Sequence, residues 1–96
     1  MQEISSELPG HELVSAGIRD LGAGHESEAA LLVAMAAPRL RAVGLEVPDG
    51  GGSTPSHRLY ELLAQAERGG AHSRYNALVG RMSSFARAAE HAAARR

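Results

Sequence analysis

The sequence predicts an all-α fold in which two antiparallel helical hairpins form a four- to five-helix bundle. Apolar residues recur at steps of three and four along every long segment, and no segment alternates strongly with a period of two. Of the 96 residues, 18 are alanine and only three are aromatic, which favours helices that pack closely on helices. A chain of this length builds one core, so we expect a single domain over residues 1–96.

The first hairpin is predicted over about residues 10–44. Its first helix covers about residues 10–21, where apolar or small residues share one face. Gly22 and Gly24 follow this face, and glycines are common just beyond the C-terminus of a helix.

The second helix of this hairpin is expected to begin near His25. Glu26 and Glu28 would then lie in its first turn, where the helix dipole favours acidic side chains. The helix is apolar nearly all round, which predicts the central helix of the fold. Pro38 removes a backbone donor and predicts a kink or a break, followed by a short helical continuation to Val43.

A glycine-rich linker is predicted over residues 45–55, because this stretch contains three consecutive glycines and two prolines. We expect a flexible connection there. The second hairpin follows over residues 56–94, with Thr54 as the N-cap and Pro55 in the first turn of the third helix. The fourth helix opens near His72 and shows the clearest amphipathic pattern in the chain.

Glycines inside two of the helices predict close helix contacts. The short connection between the third and fourth helices sets them antiparallel, with Leu59 and Tyr60 opposite Gly80 and the tyrosine ring against the bare backbone. In the same way, Gly17 is expected to face Ala30. The fourth helix is longer than the third, so residues 87–96 overhang it and need cover from the first hairpin or from a second copy.

The composition excludes several kinds of chemistry. The chain contains neither lysine nor cysteine, which excludes a lysine Schiff base, a Walker A lysine, a thiol nucleophile and a disulfide. The longest apolar run, residues 29–37, is far shorter than the roughly 20 residues of a membrane span. The first ten residues show no basic leader, so we expect a cytoplasmic protein without a membrane anchor.

The five histidines raise the question of a metal site. The His-Glu pairs at 11–12 and 25–26 begin like a zincin helix, but Ser15 and Ala29 occupy the positions of the second histidine. Adjacent serine and histidine side chains on a helix point about 100° apart, which does not favour a nucleophile with its base. We predict no catalytic residue, no metal and no cofactor, and keep a metal-binding bundle or hydrolase as a second alternative.

Charge is distributed unevenly along the chain. Residues 1–37 carry six acidic side chains against Arg19, whereas residues 38–96 carry nine arginines against five acids. Either the two halves attract each other, or the basic half binds nucleic acid or an acidic protein. Attraction within the chain is favoured, because it needs no partner.

Arginine and tyrosine cluster in the first turns of the third and fourth helices, and these residue types are common at binding hot spots. We therefore predict a non-enzymatic protein-interaction module, as a homodimer or bound to another protein; the accessory or antitoxin subunit of a small operon is one concrete form. The predicted interaction surface comprises Arg58, Tyr60, His72, Arg74, Tyr75, Arg81 and Arg87. The first alternative is a nucleic-acid-binding regulator that uses Arg39, Arg41, Arg74, Arg81 and Arg87.

Overall fold

A computed structural model describes residues 6–67 and 69–95. Within these residues the chain forms helices and no strand, which confirms the predicted all-α class. The helices are α1 (His11–Gly22), α2 (Glu28–Ala42), α3 (Pro55–Ala66) and α4 (Ala71–Ala94). Of the predicted four to five helices, four are therefore present in the described part of the chain.

Glycines in the left-handed conformation end both α1 and α2. Gly24 has a φ of 73° just after α1, and Gly44 has a φ of 93° just after α2. At the end of α1, the backbone N–H of His25 donates to the carbonyl oxygen of Asp20 at 2.8 Å. This reversal is a Schellman motif, and it satisfies carbonyls that the helix end leaves without a partner.

Ser27 sets the start of α2. Its side chain accepts a hydrogen bond from the backbone N–H of Ala30 at 3.1 Å, and its hydroxyl donates to Asp20 Oδ2 at 2.8 Å. The predicted start near His25 is therefore wrong, because the N-cap lies at Ser27 and the helix begins at Glu28. Of the two predicted first-turn acids, only Glu28 lies inside the helix.

α2 continues through Pro38 as far as Ala42, so the predicted break does not occur. A proline in a helix interior removes one backbone hydrogen bond and is unfavourable. Ala37 and Leu40, on either side of Pro38, are buried, so burial of apolar surface favours continuation of the helix.

All four helices contribute to one hydrophobic core. α2 contacts each of the other three helices, as its apolar composition predicted. No polar or charged residue of the described chain is buried. The largest fully buried side chains are Phe85, Leu31, Leu32, Leu40, Leu59, Leu63, Val14 and Val33.

Gly17 marks the closest approach of α1 to α2. A side chain at this position would overlap the backbone carbonyl of Ala29 and the side chain of Val33. The prediction that Gly17 faces Ala30 is therefore wrong by one residue. Ala29 and Val33 are four residues apart, so they share the face of α2 that packs against α1.

Tyr60 does not pack against Gly80 as predicted. Its ring lies instead against Tyr75, with the ring centroids 5.7 Å apart and the planes tilted by 59°. Gly80 is exposed, and a methyl group there would meet open space. Because α3 ends at Ala66 and α4 begins at Ala71, Tyr60 lies against the second turn of α4 rather than opposite its third turn.

The glycine-rich connection lies against the helices rather than forming a free linker. A side chain at Gly50 would come within 2.8 Å of Leu21, and one at Gly51 would overlap Ala34 of α2. Val47 in the same connection is buried. Glycine here permits close contact with α1 and α2, whereas the flexibility of the connection stays a prediction.

The start of α3 lies at Pro55, as predicted. Thr54 is the N-cap residue, but its hydroxyl makes no capping hydrogen bond. The helix start thus depends on the proline in the first turn, whose missing N–H needs no partner there.

The last third of α4 is covered in part by the first half of the chain. Ala89 is buried, and Glu90 is bound by Arg39 of α2. Packing of this segment against the first half of the chain was one of the two predicted options. The burial of Ala89 and the ion pair of Glu90 show such packing within a single chain.

We predict that Gly17→Ala destabilises the fold by about 1–3 kcal/mol, because the added methyl group forces α1 away from α2. The matched control, Gly80→Ala, is expected to stabilise it by about 0.5–1 kcal/mol, because alanine favours a helix interior and the site is open. Denaturant unfolding monitored by circular dichroism measures both free energies. A stabilising effect of Gly17→Ala would contradict the close α1–α2 contact.

Candidate functional site

Three arginines of the second half of the chain bind glutamates of the first half. Arg58 makes a bidentate contact with Glu26, at 2.8 Å from Nε and 2.7 Å from Nη2. The other two pairs are Arg74–Glu28 at 3.3 Å and Arg81–Glu12 at 3.4 Å. These contacts confirm that the uneven charge distribution attracts the two halves to each other.

A fourth ion pair joins α2 to the C-terminal third of α4. Arg39 donates to both oxygens of Glu90, at 2.6 Å from Nε and 2.9 Å from Nη2. These hydrogen bonds lower the pKa of the Glu90 carboxyl below its ordinary value, and those from Arg58 lower the pKa of Glu26 in the same way. Because these side chains are about 40% exposed, each pair contributes little stability and serves mainly to orient the helices.

Most residues of the predicted interaction surface make contacts within the chain. Its arginines at positions 58, 74 and 81 are bound by glutamates, and His72 lies 3.3 Å from the side-chain amide of Asn76. Tyr60 and Tyr75 are brought together by their ring contact. Within the described chain, Arg87 is the one member of this surface without a hydrogen bond, an ion pair or a ring contact.

Four of the five arginines of the nucleic-acid alternative are engaged in a similar way, and Arg87 is the exception. Arg39, Arg74 and Arg81 pair with glutamates. Arg41 donates to the carbonyl oxygen of Val47 at 2.8 Å and pairs with Asp49 at 3.3 Å. These contacts reduce the positive charge that the chain can offer to phosphates.

An apolar groove of about 300 Å³ lies between α2 and α4. Arg39 lies at its edge, where Glu90 holds it. Met35, Ala36 and Val79 are partly exposed along the groove, so apolar surface there is in contact with solvent. The apolar lining consists of Leu32, Met35, Ala36, Pro38, Val79, Met82 and Ala86, with Ser83 beside them. We call this feature the α2/α4 groove.

Two ion pairs define the direction of the helices that form the α2/α4 groove. Glu28 at the start of α2 pairs with Arg74 near the start of α4. Arg39 near the end of α2 pairs with Glu90 near the end of α4. The two helices therefore run in the same direction, with apolar side chains between the two pairs.

This groove is absent from the sequence-based predictions. The spacing of the groove residues is nevertheless visible in the sequence of both helices. On α2, the residues Leu32, Met35 and Arg39 recur at steps of three and four. Val79, Met82 and Ala86 repeat these steps on α4. Such steps place residues on one helix face, but they do not tell which two faces meet or leave a gap.

A second concavity, of about 400 Å³, lies between the glycine-rich connection and the start of α2. Leu21 and Leu31 form apolar parts of its wall, and His25 and Arg58 lie at polar parts. Arg58 is already bound by Glu26. The charges of that ion pair balance each other, so the cleft has no evident preference for an anion or a cation.

The described residues contain no group of three histidine or acidic side chains that could hold a metal ion. The metal-binding alternative therefore has no ligand cluster in this part of the chain. None of the described helices has the length and apolar composition of a membrane-spanning segment.

Comparison of the chain with known protein families, with curated proteins and with solved structures found no significant match.

We predict that acid destabilises the chain in part through Glu26 and Glu90. Both carboxyls have a lowered pKa in the folded state, so the unfolded chain binds protons more readily. The stability that they contribute is present above the ordinary glutamate pKa of 4.5 and is lost as the pH falls through the lowered value. Thermal unfolding between about pH 5 and about pH 2 measures this loss.

The matched control for this prediction is the double variant Glu26→Gln and Glu90→Gln. Glutamine keeps the shape of the side chain but cannot titrate, so the Tm of this variant is expected to fall less over the same pH interval. Equal slopes for the two proteins would show that the ion pairs do not persist in solution.

Proposed function

We propose that this chain is a non-enzymatic protein-interaction module whose α2/α4 groove receives the apolar face of a partner's helix. In this proposal the chain consists of two helical hairpins, over residues 10–44 and 56–94, joined by residues 45–55. The observation that carries the proposal is the groove, which leaves apolar side chains of α2 and α4 in contact with solvent. A helix that lies in an apolar groove is a common mode of peptide recognition.

The dimensions and lining of the α2/α4 groove support a side-chain anchor. A volume of about 300 Å³ is at the lower limit of small-molecule pockets and accommodates one or two large apolar side chains. Met35 and Met82 contribute flexible, polarisable side chains to the lining, and methionine adapts well to varied partners. The groove is therefore suited to the i and i+3 or i+4 anchors of an amphipathic helix.

Part of the predicted interaction surface continues from the groove. Tyr75 lies four residues before Val79, so both occupy one side of α4. Tyr60, which contacts Tyr75, has 39% of its surface exposed to solvent and is the most exposed large apolar side chain among the described residues. A partner helix in the groove would have this tyrosine pair within reach as a further contact.

A homodimer and an operon-encoded accessory or antitoxin subunit are more specific forms of this proposal. In a homodimer, a second copy would supply the helix that enters the groove. Sedimentation velocity at several protein concentrations distinguishes the two forms, since only the homodimer increases in mass without a second protein.

The chain offers a matched pair of positions for testing the groove. Ser83 lines it, whereas Ser84 is exposed and points about 100° away on the same helix. We predict that a photo-cross-linking residue at position 83 forms a covalent adduct with one protein in the cells that produce the chain. The same residue at position 84 is expected to give little of that adduct, and mass spectrometry identifies it.

Filling the groove provides the second measurement. Ser83→Trp places an indole in the groove and is expected to weaken binding of the identified partner at least tenfold, about 1.4 kcal/mol. Ser84→Trp adds the same bulk outside the groove, one turn before Arg87, and is expected to weaken binding much less than Ser83→Trp does. Equal affinities for the two variants, with both folded by circular dichroism, would refute binding in the groove.

A further inference from the structure

We infer that the partner helix is acidic, with carboxylates that meet a basic ridge beside the α2/α4 groove. The basic ridge consists of Arg87, His91 and Arg95 on the exposed side of α4. This inference rests on the proposed function and adds the charge of the partner to it.

The basic ridge continues directly from the groove. Ser83 lines the groove, and Arg87, His91 and Arg95 follow it at successive steps of four residues. Residues at steps of four form a continuous row that turns about 40° around the helix at each step, so Arg87 lies nearest the groove and His91 and Arg95 lie progressively farther round α4. A helix bound in the groove therefore has the Arg87 guanidinium one turn beyond its apolar contact.

The carboxylates beside the groove do not neutralise this ridge. Glu90 is bound through both oxygens by Arg39, and Arg87 lies near enough only to lower its pKa a little further. None of the three ridge side chains forms a hydrogen bond or an ion pair within the described residues. The Arg87 guanidinium, which has no ion-pair partner among the described residues, thus lies beside an apolar surface, and an acidic amphipathic helix complements both.

The helix dipole does not explain the whole ridge. Basic side chains are favoured in the last turn of a helix, and this accounts for the positions of His91 and Arg95. Arg87 lies seven residues before Ala94, the last residue of α4, where the effect of the dipole has fallen off. Its charge therefore remains available to a partner.

An acidic protein helix fits this surface better than nucleic acid. Two arginines and one histidine would make few phosphate contacts, so the electrostatic affinity for nucleic acid would be low. The apolar groove beside the ridge would also stay empty in a complex with a phosphate backbone. A helical peptide with leucines on one face and glutamates beside them would fill the groove with its leucines and contact the ridge with its glutamates.

Three designed amphipathic peptides of about 18 residues test this inference. They share one leucine face and carry glutamate, glutamine or lysine at the flanking positions. We expect fluorescence anisotropy at low salt to show the glutamate peptide binding about tenfold more tightly than the lysine peptide. Raising the salt concentration is expected to reduce this difference, because the charges are exposed.

Variants at Arg87 assign the charge preference to the ridge. Arg87→Glu is expected to abolish or reverse the preference between the glutamate and lysine peptides, and Arg87→Gln to reduce it. Arg19→Glu is the matched control, because Arg19 is an exposed arginine of α1 outside the groove and has no ion-pair partner among the described side chains. This control is expected to change the preference less than twofold.

The outcomes separate this inference from the proposed function. If all three peptides bind equally and Ser83→Trp abolishes binding, the groove is confirmed and the inference of an acidic partner is wrong. If no peptide binds and position 83 yields no adduct, the proposed function itself fails. A single-stranded oligonucleotide that binds more tightly than the glutamate peptide, with steep salt dependence, would also overturn the inference.

Discussion

α2 lies against α1, α3 and α4, so its side chains must fit three neighbours at once. Alanines and the Gly17 contact allow α1 to approach closely on one side of it. Leucines and Val33 fill the remaining space, and four of the largest fully buried side chains come from the first turns and the end of α2. The other three helices are positioned by this contact, and the α2/α4 groove lies where α2 and α4 do not fill the space between them.

Ion pairs around this core link distant parts of the chain. Arg81 meets Glu12 across 69 positions of sequence, and Arg39 meets Glu90 across 51. Each pair is exposed and individually weak, but together they select one arrangement of the helices over others. They also engage most of the arginines of the described chain, and they leave Arg87, beside the groove, without an ion pair.

The predicted helices and the observed ones agree closely where periodicity and glycines define them. α1 and α4 begin and end within about two residues of the predicted positions. Contacts between helices were less predictable: Gly17 meets Ala29 rather than Ala30, and Tyr60 meets Tyr75 rather than Gly80. Periodicity defines a helix face, but the rotation and the register of two helices depend on how both faces pack.

The amino-acid sequence by itself determined the all-α class, the central position of α2, the attraction between an acidic and a basic half, and the absence of lysine and cysteine chemistry. These properties follow from local spacing and from composition. Only the tertiary structure decided which arginine meets which glutamate, where Arg87 remains unpaired, and where a groove opens between α2 and α4. These three features depend on distances between residues far apart in the chain, and those distances are set only when the helices pack.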